Sequence, residues 1–568
     1  MITILKFIFY AHTIYIHSIY ILFVHFSAKI QPHSSLAFPT FEPPFFHLPY
    51  PRQAFTLFLP LLLFCLCLAF EYILHNFSKI FANTIFFSYL CRLNCNTPTN
   101  LPCRFVNLNM TDTDKQIFFL GIGGIGMSAL ARYFRHEGYT VAGYDRTPSD
   151  LTHALESEGI SVFYDDNVNL LPFAPDNLPV VWTPAVPTDT HLYQYLQSHG
   201  AHIQKRAQAL GQITSLKKPL CVAGTHGKTT TSTILAHLLR QSHIGTSAFL
   251  GGLSENYHTN LLLDSNSPFV VVEADEFDRS FHHLRPFMSV VTSVDPDHLD
   301  IYGTPEAYRE SFEHYCSLVS DTLLLKYGLT DKLHIGSNAK LFTYSAEDNR
   351  ADYFAANIIA AEGSLSFDLH HPNGVIENVT LGVPVWVNIE NSIAAAAIAM
   401  LNGVTPDEVR TGLASFAGVH RRFNIHVQNP QITYIDDYAH HPQEIAASIA
   451  SVRKLYPTRH FLGIFQPHLY TRTRDFADEF AEVLSTLDEV ILLPIYPARE
   501  LPIPGIDSEM LLGKISLRDK HLLSKQALVA EIAERAHKMA PVVVLTIGAG
   551  DIDRLVPDIT DKLNNMNG

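Results

Sequence analysis

The chain has 568 residues, a formal net charge of −15 and 47% hydrophobic residues, enough for three or four domains. An acidic body of this kind argues against bulk nucleic-acid binding. Five of the seven cysteines fall in residues 1–109, and only Cys221 and Cys316 remain beyond it, which excludes a disulfide framework or paired CxxC zinc spacing there.

Residues 1–109 differ from the rest. They hold six Lys/Arg and two Glu, a net of +4, which leaves −19 for residues 110–568. Ile2 to Val24 is apolar and aromatic, and Ala54 to Phe70 is a cleaner apolar run at the short limit for a membrane span. The segment reads as a membrane anchor, an unusual targeting segment, or upstream DNA read in frame from a misplaced start. Met110 opens Thr-Asp-Thr-Asp-Lys-Gln, a normal start for a cytosolic domain, and is the start we favour.

The first predicted strand is Gln116–Leu120. Gly121-Ile-Gly123-Gly124-Ile-Gly126 then opens a helix, and the strand Thr140–Tyr144 ends in Asp145. This GxGxxG with an acidic partner is a dinucleotide-binding pattern, yet it specifies only a pyrophosphate at a helix N-terminus. A nucleotide-sugar diphosphate satisfies it as well as a nicotinamide cofactor does. Val180–Trp182 is a later strand.

The second unit is built on Gly224-Thr225-His226-Gly227-Lys228-Thr229-Thr230, after the apolar run Pro219–Val222 and before the amphipathic stretch Ser232–Arg240. Strand, glycine turn and helix aim backbone N–H groups at an anion. Lys228 would reach the β/γ-phosphates of a nucleotide, and the Thr229 hydroxyl would face Mg²⁺. Val222 stands where the strict pattern has its first glycine, so the loop is a shortened variant. Phe269–Val272 is a buried strand whose end carries Glu273, Asp275, Glu276 and Asp278. Ser289–Val291 is another, followed by Asp295, Asp297, His298 and Asp300. Mg²⁺ takes few protein ligands, mostly carboxylates and hydroxyls. Glu273 is the acid placed for it, Asp275, Glu276 and Asp278 being partly solvated or paired, and His298 is a second candidate. Short strands and the helix Ser392–Met400 follow.

A third unit from about residue 418 alternates the strand Gln431–Ile435, the helix Glu444–Leu455, the strand His460–Phe465, the helix Asp475–Leu487, and the strands Val490–Pro494 and Val542–Ile547. Such alternation predicts an α/β fold of parallel sheets with function at strand C-termini. Asp436, Asp437, Tyr438, His440 and His441 cluster after one strand, and His468, Arg472 and Arg474 after the next. Arg suits a carboxylate because its fork binds both oxygens. His420-Arg421-Arg422-Phe423 marks the junction of the second and third units, where an arginine could reach a phosphate.

Seven motifs in order, the 121–131 glycine loop, Gly224–Thr230, Glu273–Glu276, Asp297–Asp300, Arg421–Phe423, Asp437–Pro442 and Gln466–His468, resemble those of the Mur ligases, over residues 116 to about 560. The resemblance implies a cytoplasmic enzyme of three α/β domains: a Rossmann-like UDP-sugar domain (110–213), a central P-loop ATP domain (214–417) and a Rossmann-like C-terminal domain for the amino acid (418–568). It implies ATP-dependent ligation of L-alanine to the lactyl carboxylate of UDP-N-acetylmuramate, with Mg²⁺, in peptidoglycan precursor synthesis. The glycines 121, 123, 124 and 126 and Asp145 would hold the UDP-sugar. ATP would meet Gly224–Thr230, Asn388, Asn391 and Arg422, and the metal Thr229, Glu273 and His298. Tyr438, His440 and Arg472 would surround the amino acid. Val387 and Leu469 depart from the family pattern, where His and Arg are frequent. A sister ligase that attaches a recycled tripeptide is one rival reading. A nicotinamide oxidoreductase leaves Lys228 and Glu273 unexplained. A membrane-anchored nucleotide switch would need residues 1–109, and membrane contact is expected only if they are expressed.

Overall fold

The computed structural model describes residues 115–336, 338–361, 363–498 and 500–565. The extension 1–109 and Met110 lie outside the described residues. Three sheets occupy successive stretches of the chain.

The first stretch runs β1 (Gln116–Leu120), α1 (Ile125–His136), β2 (Thr140–Tyr144), α2 (Asp150–Ser157), β3 (Ser161–Phe163), β4 (Pro179–Trp182), α3 (His191–Ser198), β5 (His202–Lys205) and α4 (Arg206–Thr214). Its five strands pair in parallel in the order β3-β2-β1-β4-β5. The order reverses at β1, so the crevice beyond its C-terminal end is the place for a ligand. Ile117, Phe119, Met127, Leu130 and Phe134 join α1 to the sheet in one apolar cluster.

The second stretch begins with β6 (Lys218–Ala223), α5 (Lys228–Gln241), β7 (Ser247–Ser254), β8 (Thr259–Leu262), β9 (Phe269–Glu273), β10 (Met288–Val291), α6 (Leu299–Tyr302), α7 (Pro305–Ser317) and β11 (Thr322–Lys326). It continues through β12 (Lys340–Ser345), β13 (Tyr353–Ala361), β14 (Ser364–His371), β15 (Gly374–Thr380), α8 (Trp386–Leu401) and α9 (Pro406–Ser415). The sheet order is β15-β14-β13-β12-β11-β10-β6-β9-β7-β8. Strands β6, β9, β10 and β11 are parallel and apolar on both faces, as a covered parallel sheet requires. The far strands β13–β15 and the edge β8 pair antiparallel, an addition to the expected parallel sheet. Helix α8 starts at Trp386, six residues before the predicted Ser392, and its Ala-rich middle is buried against α5.

The third stretch runs β16 (Asn424–Gln428), β17 (Ile432–Asp437), α10 (Pro442–Leu455), β18 (His460–Phe465), α11 (Tyr470–Asp475), α12 (Ala477–Leu484), β19 (Glu489–Leu492), α13 (Ser508–Lys514), β20 (Lys520–Leu522), α14 (Lys525–Met539), β21 (Val542–Ile547) and α15 (Val556–Asn564). The sheet order is β16-β17-β21-β18-β19-β20, parallel except at β16. The helix expected over Asp475–Leu487 is α12, over Ala477–Leu484; a separate short helix, α11, ends at Asp475, and Phe476 between them has a non-helical backbone and packs its ring on His441 at 4.7 Å. Neither Gly nor Pro marks that break; the residue there is in tertiary contact. Among the described residues no helix is long and apolar enough to cross a membrane.

Candidate functional site

The loop between β6 and α5 is held from below. Gly227 is the N-cap of α5 at φ +80°, and a Cβ there would stand 2.8 Å from the Asn391 Oδ1, so the turn and the neighbour both require glycine. Asn391 accepts from Thr231 Oγ1 (3.1 Å) and donates to Asn388 Oδ1 (3.1 Å), and both asparagines are buried on α8. The expected adenine-side pair thus lies against the phosphate loop itself. Thr225 Oγ1 donates to the Asp295 carbonyl (2.7 Å) and meets the Tyr308 hydroxyl (2.9 Å). The His226 N–H donates to Ser293 Oγ (2.9 Å). Thr229 and Thr230 sit in the first turn of α5. Lys228 folds back over the loop. Its Nζ donates to the Gly224 carbonyl (2.6 Å), the Thr225 carbonyl (3.2 Å) and Glu276 Oε1 (2.9 Å).

Glu276, expected to be partly solvated or paired, is paired with Lys228, a partner the sequence reading did not give it. It is 1% exposed, and burial raises its carboxyl to about 7 even with Lys228 pulling the other way. The signal available was an acid three residues past Glu273 at the same strand end. Asp275 and Asp278 are ion-paired, with Arg206 and Lys205 respectively.

Glu273 closes β9 beside Thr229 and Lys228. Burial raises its carboxyl, with Lys228 and the Thr229 hydroxyl opposing. Its Oε2 is buried without a hydrogen-bond donor, an unsatisfied group that a cation would satisfy. Among the described residues no group of three or more His, Cys, Asp or Glu is arranged to hold a metal. One carboxylate and a hydroxyl fit a cation that keeps most of its water or phosphate ligands. The contacts of His298 run elsewhere. It caps α6 at φ +52°, with its ring edge-on to Phe277 (5.1 Å) and Nε2 3.8 Å from Asp297.

The two linker arginines divide. Arg421, at φ +60°, turns into the third stretch, donating to the carbonyls of Gly548 (2.6 Å) and Gly550 (3.3 Å) and pairing with Asp553 (3.2 Å). Both lie over the Tyr438 ring, Arg421 at 4.9 Å and Arg422 at 5.4 Å, but only the Arg422 charge acts on both Glu273 and Asp437. Arg422 therefore faces the second and third stretches at once. Asp437, beside it, is raised to about 6 by burial. Tyr438, His440 and His468 form a chain of ring contacts at 5.4 and 6.3 Å. Burial, then Arg472, holds His468 down to about 4, so it is neutral near pH 7 and faces Arg472 Nη1 at 3.4 Å. The structure sets His440 and Arg472 against His468, with Tyr438 beyond His440.

In the first stretch, the Asp145 carboxylate accepts from the N–H groups of Gly123 (2.8 Å) and Thr147 (3.1 Å), so it braces the glycine loop. The loop and Asp145 line one cleft of about 990 Å³ that extends to Glu273 and Asp275. Helix α1, beginning after Gly124, has no side-chain cap and no acid in its first turn, which leaves its first N–H groups for a ligand.

A P-loop on a parallel sheet, with an acid on the adjacent strand that also lines the cleft of the first glycine loop, defines an α/β protein of the nucleotide-binding class. The chain belongs to the Mur ligase family. The family's models match it as "Mur ligase family, catalytic domain" over residues 116–218, "Mur ligase middle domain" over 222–399 and "Mur ligase, glutamate ligase domain" over 421–551. It is 55% identical over 457 residues to a UDP-N-acetylmuramate–L-alanine ligase of Porphyromonas gingivalis, covering 80% of this chain and 100% of that one. A protein of the same name from Parabacteroides distasonis is 53% identical, with 79% and 97% covered. A solved UDP-N-acetylmuramate–alanine ligase from Thermotoga maritima superposes with a TM-score of 0.66 at 26% identity, over 80% of this chain and 99% of that one.

Proposed function

We infer that this chain ligates L-alanine to the lactyl carboxylate of UDP-N-acetylmuramate with hydrolysis of ATP, in peptidoglycan precursor synthesis. The observation that carries the reading is the single cleft with a glycine-rich helix N-terminus at one end and Glu273, beside Lys228, at the other. A nucleotide sugar anchored by its diphosphate would extend its acid arm toward the γ-phosphate. The name shared by relatives 42–55% identical over nearly their whole length favours alanine over a recycled tripeptide.

The reaction is two-step. The lactyl carboxylate attacks the γ-phosphorus of ATP and ADP leaves, giving an acyl phosphate. The amine of L-alanine then attacks the acyl carbon, loses a proton, and phosphate leaves. The chain chiefly positions the reactants and offsets charge. Lys228 would leave Glu276 to meet the β/γ-phosphates, and Gly224–Thr230 would supply the N–H groups. Arg422 would reach the same phosphates from the linker, and Asn388 and Asn391 the adenine side. Tyr438, His440 and Arg472 would hold the amino acid, with His468 seating the guanidinium. Thr229 and Glu273 would hold Mg²⁺, with His298 reaching it only by leaving Phe277; the ion would neutralise charge between the terminal phosphates.

We assign the UDP-sugar to residues 110–213, ATP to 214–417 and the amino acid to 418–568, and place the enzyme in the cytoplasm, where ATP is available. A chain beginning at Met110 should therefore keep full activity. The test of the whole reading is ADP release that needs both UDP-N-acetylmuramate and L-alanine, with the alanylated product identified by mass. ADP release dependent on a tripeptide and indifferent to L-alanine would replace this reading by the sister activity.

A further inference from the structure

Arg206, the first residue of α4, is absent from the roles above, yet it lines the same cleft as the glycine loop and Glu273. Its guanidinium lies over the first turn of α1: a Cβ at Gly126 would stand 2.8 Å from Nη1 and 3.2 Å from Cδ. The third glycine of the loop is thus kept small by an arginine from another element. Nη2 bonds Asp275 Oδ2 at 3.0 Å, and the side chain is 22% exposed.

This arrangement is electrostatically unusual. The N-terminal end of a helix carries partial positive charge and disfavours a cation beside it. Helix α1 has no acid in its first turn to offset the guanidinium. Asp145, the nearest acid on its own sheet, is occupied by the Gly123 and Thr147 N–H groups. Lys205, next to Arg206, is taken by Asp278 at 2.6 Å, and the exposed Arg146 adds a further cation to the cleft wall. Asp275 alone pairs Arg206, from the loop two residues past Glu273.

Resting on the function proposed above, we propose that Arg206 is a binding residue for the diphosphate of the nucleotide sugar, and that Asp275 holds its guanidinium until the ligand displaces it. An anion seated on the free N–H groups of α1 lies beside the guanidinium, whose fork matches two phosphate oxygens. Arg206 then links the diphosphate end of the cleft to the loop that carries Glu273 and Glu276.

Calorimetric titration without ATP or metal tests this, using UDP-N-acetylmuramate and UDP-N-acetylglucosamine, which carries the same diphosphate but no lactyl carboxylate. In Arg206→Ala the Kd for both should rise tenfold or more, Arg206→Lys should recover part of it, and the Kd for ADP should not move, showing an intact fold. Gly126→Ala should weaken both sugars likewise. Asp275→Asn should tighten both two- to fivefold by removing the competing carboxylate. Loss confined to UDP-N-acetylmuramate would put Arg206 on the lactyl carboxylate and overturn the proposal, as would no change in either. An unchanged Asp275→Asn would overturn the displacement step. If the wild-type chain itself does not bind UDP-N-acetylmuramate, it is the proposed function that fails.

Discussion

Lys228 Nζ donates to Glu276 Oε1 over 2.9 Å, and the carboxylate that receives it is 1% exposed. The P-loop lysine therefore rests on a buried acid from the strand-end loop next door. Its ammonium also closes on two carbonyls of its own loop. A γ-phosphate offers the lysine two negative oxygens in place of one desolvated carboxylate, which favours the exchange.

Lys228→Ala should abolish ligation while leaving UDP-sugar binding within about twofold, since the sugar docks at the other glycine loop. Product formation at near wild-type rate would remove the P-loop lysine from the mechanism.

Glu276 gives a pH signature. Its folded value, about 7, lies above the ordinary 4.5, so between those values the folded chain holds a proton that the unfolded chain has lost. Its contribution to stability is full below pH 4.5 and declines as pH rises to 7, by of order 3 kcal/mol at 1.36 kcal/mol per pH unit. Glu276→Gln removes this slope. Urea unfolding at pH 5 and pH 7.5 should show the variant gaining on the wild type as pH rises; parallel curves would contradict the raised value.

Glu273→Gln should raise the Mg²⁺ concentration needed for half-maximal activity about tenfold or more, because it replaces the carboxylate whose Oε2 lacks a donor. His298→Ala should do so by less, given its seat on Phe277. Metal titrations of both variants decide the matter, and two unshifted curves would take both residues out of the metal site.

Arg472 should carry most of the recognition of the alanine carboxylate, since Leu469 stands where an arginine is frequent in the family. A charge-assisted hydrogen bond contributes about 1.5–3 kcal/mol. Arg472→Ala should therefore raise the KM for L-alanine about ten- to a hundredfold with the KM for ATP little changed. His468→Ala, which removes the neutral partner at 3.4 Å, should shift the same KM by a smaller factor. A large ATP effect with alanine unmoved would transfer Arg472 to the phosphate side.

The sequence by itself determined the α/β class, the β1–α1 and β6–α5 glycine turns, and the bounds of β1, β2, β18 and β21, because glycine spacing and apolar runs are local signals. It also pointed to the acids at the ends of β9 and β10. Tertiary structure decided the rest. That Arg421 turns into the third stretch depends on its positive φ and on carbonyls more than a hundred residues away. The break at Phe476 coincides with its packing on His441, the N-cap of α10. Lys228 meets Glu276 because β6 and β9, distant in sequence, end side by side; Arg206 meets Asp275 across two different sheets, and Asn391 props Gly227 from helix α8. A side chain's partner across a sheet leaves no periodicity in either segment, so the electrostatics of this cleft become visible only once the strands are placed.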